Sequence, residues 1–164
     1  MKILAAADLH GSQHRLNLIL KNVERYSPDI VVICGDITNF GPAEVAKNFL
    51  NQIPVETLAI RGNIDSPDVA NGIDQSKATK IEQKKFVKKG ISFVGITGLD
   101  LKELNYLKEK KLVDNNTVLV SHVPPDGFQD KIHLGIHGGS KDIKKFIDET
   151  KPKLVLAGHI HEDP

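Results

Sequence analysis

Short apolar runs alternate with amphipathic stretches along this chain. Residues 3–7 form a compact apolar run, long enough for a strand and too short for a helix. Leu16, Ile19, Leu20 and Val23 then recur at i, i+3, i+4 and i+7, the spacing of one helix face, and Ser27-Pro28 ends it. Ile30–Cys34 is a β-branched run. The stretch 43–52 predicts a second helix, with Val45, Phe49 and Leu50 on its buried face and Pro42 at its first position. Residues 55–60 predict a third strand. Past Gly62 the pattern weakens. Ser66-Pro67-Asp68 predicts an N-cap, a first-position proline and an acidic first turn, whereas 73–85 is polar and poorly periodic. Phe86-Val87 and Ile91–Ile96 flank Lys88-Lys89-Gly90 as the arms of a hairpin. Leu101, Leu104 and Leu107 predict a helix, 117–120 a strand, 124–139 a long Gly- and Pro-rich loop, 141–149 a last helix and 154–157 a last strand. This alternation implies an α/β domain with its sheet covered on both faces, where ligands gather at the carboxyl ends of the strands.

Composition narrows the class. The 164 residues predict a single domain over 1–164, with 40% hydrophobic and 26% charged residues, which excludes wholesale disorder. Lys plus Arg at 22 against Asp plus Glu at 21 gives +1, and aromatics are scarce, so a nucleic-acid partner is not expected. The one cysteine, Cys34, excludes an internal disulfide framework and reads as a small buried strand residue. No apolar run approaches a membrane span, and Met1-Lys2 leads straight into a strand. The expectation is a soluble, cytoplasmic protein.

Five apolar runs end in a polar group able to bind metal. They lead into Asp8-Leu9-His10, Gly35-Asp36, Gly62-Asn63, Ser121-His122 and Gly158-His159-Ile160-His161. A spacing of two puts Asp8 and His10 on one side of an extended segment, and likewise His159 and His161. Each piece alone is an ordinary turn former or surface histidine; together they offer three oxygen ligands and four imidazoles. Mixed N and O donors without thiolate suit Mn, Fe, Zn or Co better than Mg or Ca. Seven side chains exceed the need of one ion, and a shared carboxylate lets such a set hold two ions ~3.5–4 Å apart.

In this order, each after a strand, D-x-H, G-D, G-N-x-D, S-H and G-H-x-H resemble the calcineurin-like metallophosphoesterase family, over residues 3 to 161. The resemblance implies a four-layer α/β/β/α sandwich with two mixed sheets. It also implies two divalent ions, drawn from Mn, Fe, Zn, Ni or Co, at the strand ends. Carried over, Asp8, His10 and His161 hold one ion, Asn63, His122 and His159 the other, and Asp36 bridges them. The implied reaction is hydrolysis of a small phosphoester, most simply a phosphodiester, by a hydroxide between the ions with no covalent enzyme intermediate.

Position 64 departs from the pattern. Many members carry a histidine there that contacts the phosphate, whereas Ile64 can neither donate a proton nor hydrogen-bond an oxygen. His14, near the first helix, and His137, in the glycine-rich loop, are the candidates to reach a bound phosphate; His133 reads as a surface residue. Asp65 either orients a metal-bound histidine or caps the Pro67 turn. Gly138-Gly139-Ser140 either binds phosphate at a helix N-terminus or is a loop closed by a serine cap. Two rival readings follow. One is a nuclease, if the lysine hairpin lies beside the metal site. The other is a catalytically weak metal-binding interaction module, which Ile64 favours. Relatives usually continue past G-H-x-H into further strands, so an uncovered sheet edge and a homodimer through it are expected.

Overall fold

The computed structural model describes residues 1–162; Asp163 and Pro164 lie outside the described residues. The elements are β1 (Ile3–Ala6), α1 (Gln13–Tyr26), β2 (Ile30–Cys34), α2 (Ala43–Asn51), β3 (Thr57–Ile60), α3 (Val69–Asp74), β4 (Thr79–Lys80), β5 (Lys85–Lys88), β6 (Ile91–Ile96), α4 (Leu101–Glu109), β7 (Thr117–Ser121), α5 (Lys141–Thr150) and β8 (Leu154–Leu156). They form two four-stranded sheets, ordered β1-β2-β3-β4 and β5-β6-β7-β8.

Residue alternation along the central strands builds the layers. Val31 and Ile33 of β2 face α1 and α2, in a cluster with Leu16, Ile19, Val23, Ala46 and Leu50. Ile30, Val32 and Cys34 of the same strand face the other way, onto Phe93, Val118 and Val120 of the second sheet. Val94, Ile96 and Leu119 then meet Leu104 and Leu107 of α4 and Ile143 and Phe146 of α5. Strands buried on both faces need apolar residues at every position, which is why these runs read as continuous. Three apolar seams between helices, sheet, sheet and helices give the four layers expected.

Some expectations need correction. Only the second sheet is mixed: β5 and β6 form an antiparallel hairpin, while every pairing in the first sheet is parallel, since helical crossovers return the chain in one direction. The polar stretch 73–85 contains β4 and, beyond it, a strap between the sheets. Ile81 donates to Ala59 O at 3.2 Å, and Gly95 donates to Ile81 O at 2.9 Å. Pro42 stands at the N-cap of α2, not its first position, and Ala46 with Leu50 forms its fully buried face. Ser66 does not cap α3; its hydroxyl donates to Gly41 O. Cys34 is buried, and burial pushes its thiol up to about 12.

The lysine hairpin lies away from the strand ends that carry the ligands. Lys89 pairs with Asp29 at 2.7 Å, and Lys88 with Glu56, residues that precede β2 and β3. The condition for the nuclease reading is therefore not met. None of the described helices is long and apolar enough to cross a membrane.

Candidate metal centre

The seven predicted residues converge at the carboxyl ends of β1, β2, β3, β7 and β8. Asp8, His10, Asp36 and His159 have positive φ values of 59°, 50°, 50° and 75°. Such conformations are disfavoured for residues with a Cβ, and they collect at sites whose surroundings hold them in place. Here the holding groups are visible. Asp8 N donates to Gly35 O at 3.1 Å, and His10 N to Asp36 O at 2.9 Å, so the two strand ends continue to pair through their turns. Arg15 of α1 donates to Asp8 O.

Asp65 matters more than its sequence context suggested. Its buried carboxylate accepts from Ile37 N at 3.0 Å, Thr38 N at 2.8 Å, the Thr38 hydroxyl at 2.9 Å and Gly62 N at 3.0 Å. It therefore neither orients a histidine nor caps the Pro67 turn. It locks the loop carrying Asp36 to the loop carrying Asn63. Gly62 completes the lock, because a Cβ there would stand 2.1 Å from Asp36 Oδ1.

The imidazoles come mostly from the second sheet. His122 is fully buried, and its Nδ1 lies 2.9 Å from Cys34 O. A carbonyl oxygen only accepts, so Nδ1 carries the proton, and in the neutral ring Nε2 presents a lone pair. That nitrogen faces Asn63 Oδ1 at 2.8 Å and Asp36 Oδ1 at 3.5 Å, both acceptors. His159 Nδ1 approaches the same Asn63 Oδ1 at 3.0 Å, while its backbone N–H donates to Asp8 Oδ2 at 3.0 Å. His10 Nε2 and His161 Nε2 are 3.1 Å apart, and Asp8 Oδ1 lies 3.9 Å from the first and 3.5 Å from the second. Asp8 Oδ1 is buried with no hydrogen-bond partner among the described residues. Ligand atoms of Asp8, His10 and His161 all lie within 4.8 Å of one another, and so do those of Asp8, Asp36 and His122. Acceptors facing acceptors around an orphaned carboxylate oxygen are what a cation site presents, and the N and O donor set fits a divalent transition metal.

Electrostatics agree. Burial raises the Asp36 carboxyl above its ordinary value, with Asp65 and Asp8 adding to the effect while His122 and Ile64 N oppose it. Burial and the neighbouring His122 lower the His159 imidazole, favouring its neutral, ligating form.

A sequence profile of calcineurin-like phosphoesterases matches residues 1–163. The chain belongs to the calcineurin-like phosphoesterase family. It is 34% identical to the protein MJ1162 of Methanocaldococcus jannaschii, over 99% of this chain and 81% of that one. It is also 34% identical to the phosphodiesterase YfcE of Escherichia coli, over 40% of this chain and 41% of that one. Among solved structures, TT1561 of Thermus thermophilus superposes with a TM-score of 0.72 at 18% identity, covering 94% of this chain and 80% of that one. A structure described as a novel archaeal phosphodiesterase superposes with a TM-score of 0.57 at 18% identity, covering 97% and 84%. Membership makes the protein a phosphoester hydrolase of a family that uses divalent metals.

The remaining candidates are bound to other partners or to none of the seven. His14 is exposed on α1, and His137 pairs with Asp130 at 2.7 Å; among the described residues neither is hydrogen-bonded to a proposed ligand. The phosphate reading of Gly138-Gly139-Ser140 does not hold. Ser140 Oγ caps α5 by accepting from Ile143 N, and Gly138 N and Gly139 N are both taken by Asp130. Asp130 itself escaped the sequence reading; its only local signal is a lone acidic residue between glycines.

Proposed function

We propose that the protein hydrolyses a small phosphodiester with two divalent ions. Asp8, His10 and His161 hold one, Asn63, His122 and His159 the other, and Asp36 is shared. The lone-pair-bearing His122 Nε2, set against Asn63 Oδ1 and Asp36 Oδ1, carries this reading, together with the orphaned Asp8 Oδ1. When bound, such ions polarise phosphoryl oxygens and make water acidic enough to act as a nucleophile near neutral pH.

The protein's own part is orientation. Cys34 O fixes the His122 ring and its tautomer, as carbonyls commonly do for metal-binding imidazoles. Asp65 fixes the separation of the Asp36 and Asn63 loops. Ile64 supplies only its backbone N–H, which donates to Asp36 Oδ1 at 3.2 Å. Its apolar side chain gives no proton to a leaving group. The preference for a diester is supported by relatives that bear the name phosphodiesterase.

The test compares bis-p-nitrophenyl phosphate with p-nitrophenyl phosphate, using chelated protein and protein restored with Mn, Ni, Co, Zn or Mg. Two ions bound per chain and faster diester turnover are expected. Asp36→Ala lowers that turnover on the order of 10³-fold or more, the several kcal/mol that a Lewis-acid centre supplies. Folded protein that binds two ions and turns over neither ester with any metal establishes instead the interaction module that Ile64 favours.

A further inference from the structure

Outside the seven ligands, the described residues contain one histidine backed by a buried carboxylate. Asp130 lies between exposed neighbours, Gln129 and Lys131, in the loop between β7 and α5, yet is only 1% exposed. Its Oδ2 accepts from Gly127 N at 2.8 Å and Gly139 N at 3.2 Å, and its backbone carbonyl accepts from Gly138 N at 2.8 Å. Its Oδ1 faces His137 Nδ1 at 2.7 Å. The carboxylate accepts only, so His137 Nδ1 carries the proton and Nε2 is the nitrogen left for other chemistry. The His137 side chain is 49% exposed.

The loop is also placed for such a role. It starts directly after His122 and Val123, and its returning arm packs on the last metal-binding turn. A Cβ at Gly138 would stand 3.5 Å from Ile160 Cδ1, and Ile160 separates His159 from His161. Gln129, next to Asp130, lines one cavity of about 560 Å³ together with Asp8, Arg15 and His161. The other non-ligand histidines lack this arrangement: His133 is 89% exposed and pairs with the half-exposed Glu162, and His14 is exposed on α1.

We propose that His137, oriented by Asp130, donates the proton to the leaving oxygen, the task that Ile64 cannot perform. The proposal rests on the phosphoesterase reading above. As the bond from phosphorus to the leaving oxygen breaks, its electron pair stays on that oxygen, which takes the proton from Nε2 of the imidazolium. The ring returns to neutral with Nδ1–H still on Asp130, and Nε2 regains a proton from water. His137 is then a catalytic residue and Asp130 a positioning residue.

The test is a series of aryl phosphodiesters with leaving groups graded from p-nitrophenol to p-methoxyphenol. Wild type is compared with His137→Gln and Asp130→Asn. His137→Gln is expected to lose about 10²-fold in kcat on the poorest leaving group and under about 10-fold on p-nitrophenyl, the usual span of general acid catalysis. KM and metal content stay unchanged. Asp130→Asn steepens the same leaving-group dependence by a smaller amount. A second readout is independent of turnover: in the zinc-loaded protein, inorganic phosphate shifts the His137 Nε2 resonance in ¹⁵N NMR. Equal losses across the series in His137→Gln, with a resonance indifferent to phosphate, overturn the proposal while leaving the wild-type phosphoesterase reading intact. Wild-type protein inert with every metal removes the earlier reading and this one with it.

Discussion

Asp65 and Asp130 are both buried carboxylates beside the candidate centre, and both accept backbone N–H groups from neighbouring loops. The environments differ in what is left over. Asp65 has both oxygens taken by three backbone donors and a threonine hydroxyl, and it joins two loops that each carry a proposed ligand. Asp130 spends one oxygen on the backbone and offers the other to a half-exposed histidine. The region after β2 and β3 is built to fix positions, with both oxygens of its buried Asp65 committed. Beyond the buried residues 122–125, the loop after β7 is mostly exposed and holds one fully buried side chain, Asp130. Ligand geometry asks for the first kind of construction, and substrate entry for the second.

The contrast can be broken by substitution. Asp65→Asn has the largest expected effect, because the amide that replaces one oxygen opposes backbone donors with a donor of its own. It should cost about 1–3 kcal/mol of stability and lower metal affinity roughly 10–100-fold, read by urea unfolding and by metal titration. Unchanged metal affinity would show that the two loops hold their positions without it. A matched pair of glycine changes sharpens the point. Gly62→Ala forces a methyl into Asp36, at about 1–3 kcal/mol and with weakened metal binding. Gly127→Ala meets nothing within 4 Å and suffers only from its φ of +85°, at about 1 kcal/mol and with metal binding intact.

The smallest effects lie in the pH profile of chelated protein, and the two regions should respond with opposite signs. Burial raises Asp36 from 3.8, so the native state holds its proton more tightly and stability falls as pH rises through that raised value. Asp130 behaves otherwise. Burial raises it, but the His137, Gly127 and Gly139 hydrogen bonds outweigh burial and leave it below 3.8. Its contribution is present above 3.8 and is lost as pH falls through the lowered value. Asp36→Asn should flatten the first change and Asp130→Asn the second, as followed by urea midpoints.

The convergence of the seven proposed ligands was legible because each follows an apolar run directly, and an α/β fold places the ends of such runs together. Most elements were legible for the same local reason: a seam of Leu16, Ile19 and Val23 has only one good way to be buried. What escaped notice depends on partners that no local pattern announces. Thr79 and Lys80 pair because β3 offers an edge, not because their own sequence favours extension. Asp65 is defined by residues near position 37, and Asp130 by a loop that folds around it; neither relation has a period to detect. Pro42 moved by one position because a proline fits the extended N-cap as readily as the first turn.

The strap between the sheets has a mechanical consequence. Like the spine of a book, residues 81–83 bind the two halves along the β3 and β6 side, where Glu82 also grips Arg61 through three nitrogens. On the far side, β1 and β8 are the outermost strands of their sheets and pair with no further strand among the described residues. The proposed ligands are shared between the covers: Asp8, His10, Asp36 and Asn63 follow strands of one, His122, His159 and His161 strands of the other. Ions held as proposed would act as a clasp: part of their binding energy would keep the covers shut, and a chelator is expected to loosen the hinge as well as empty the site.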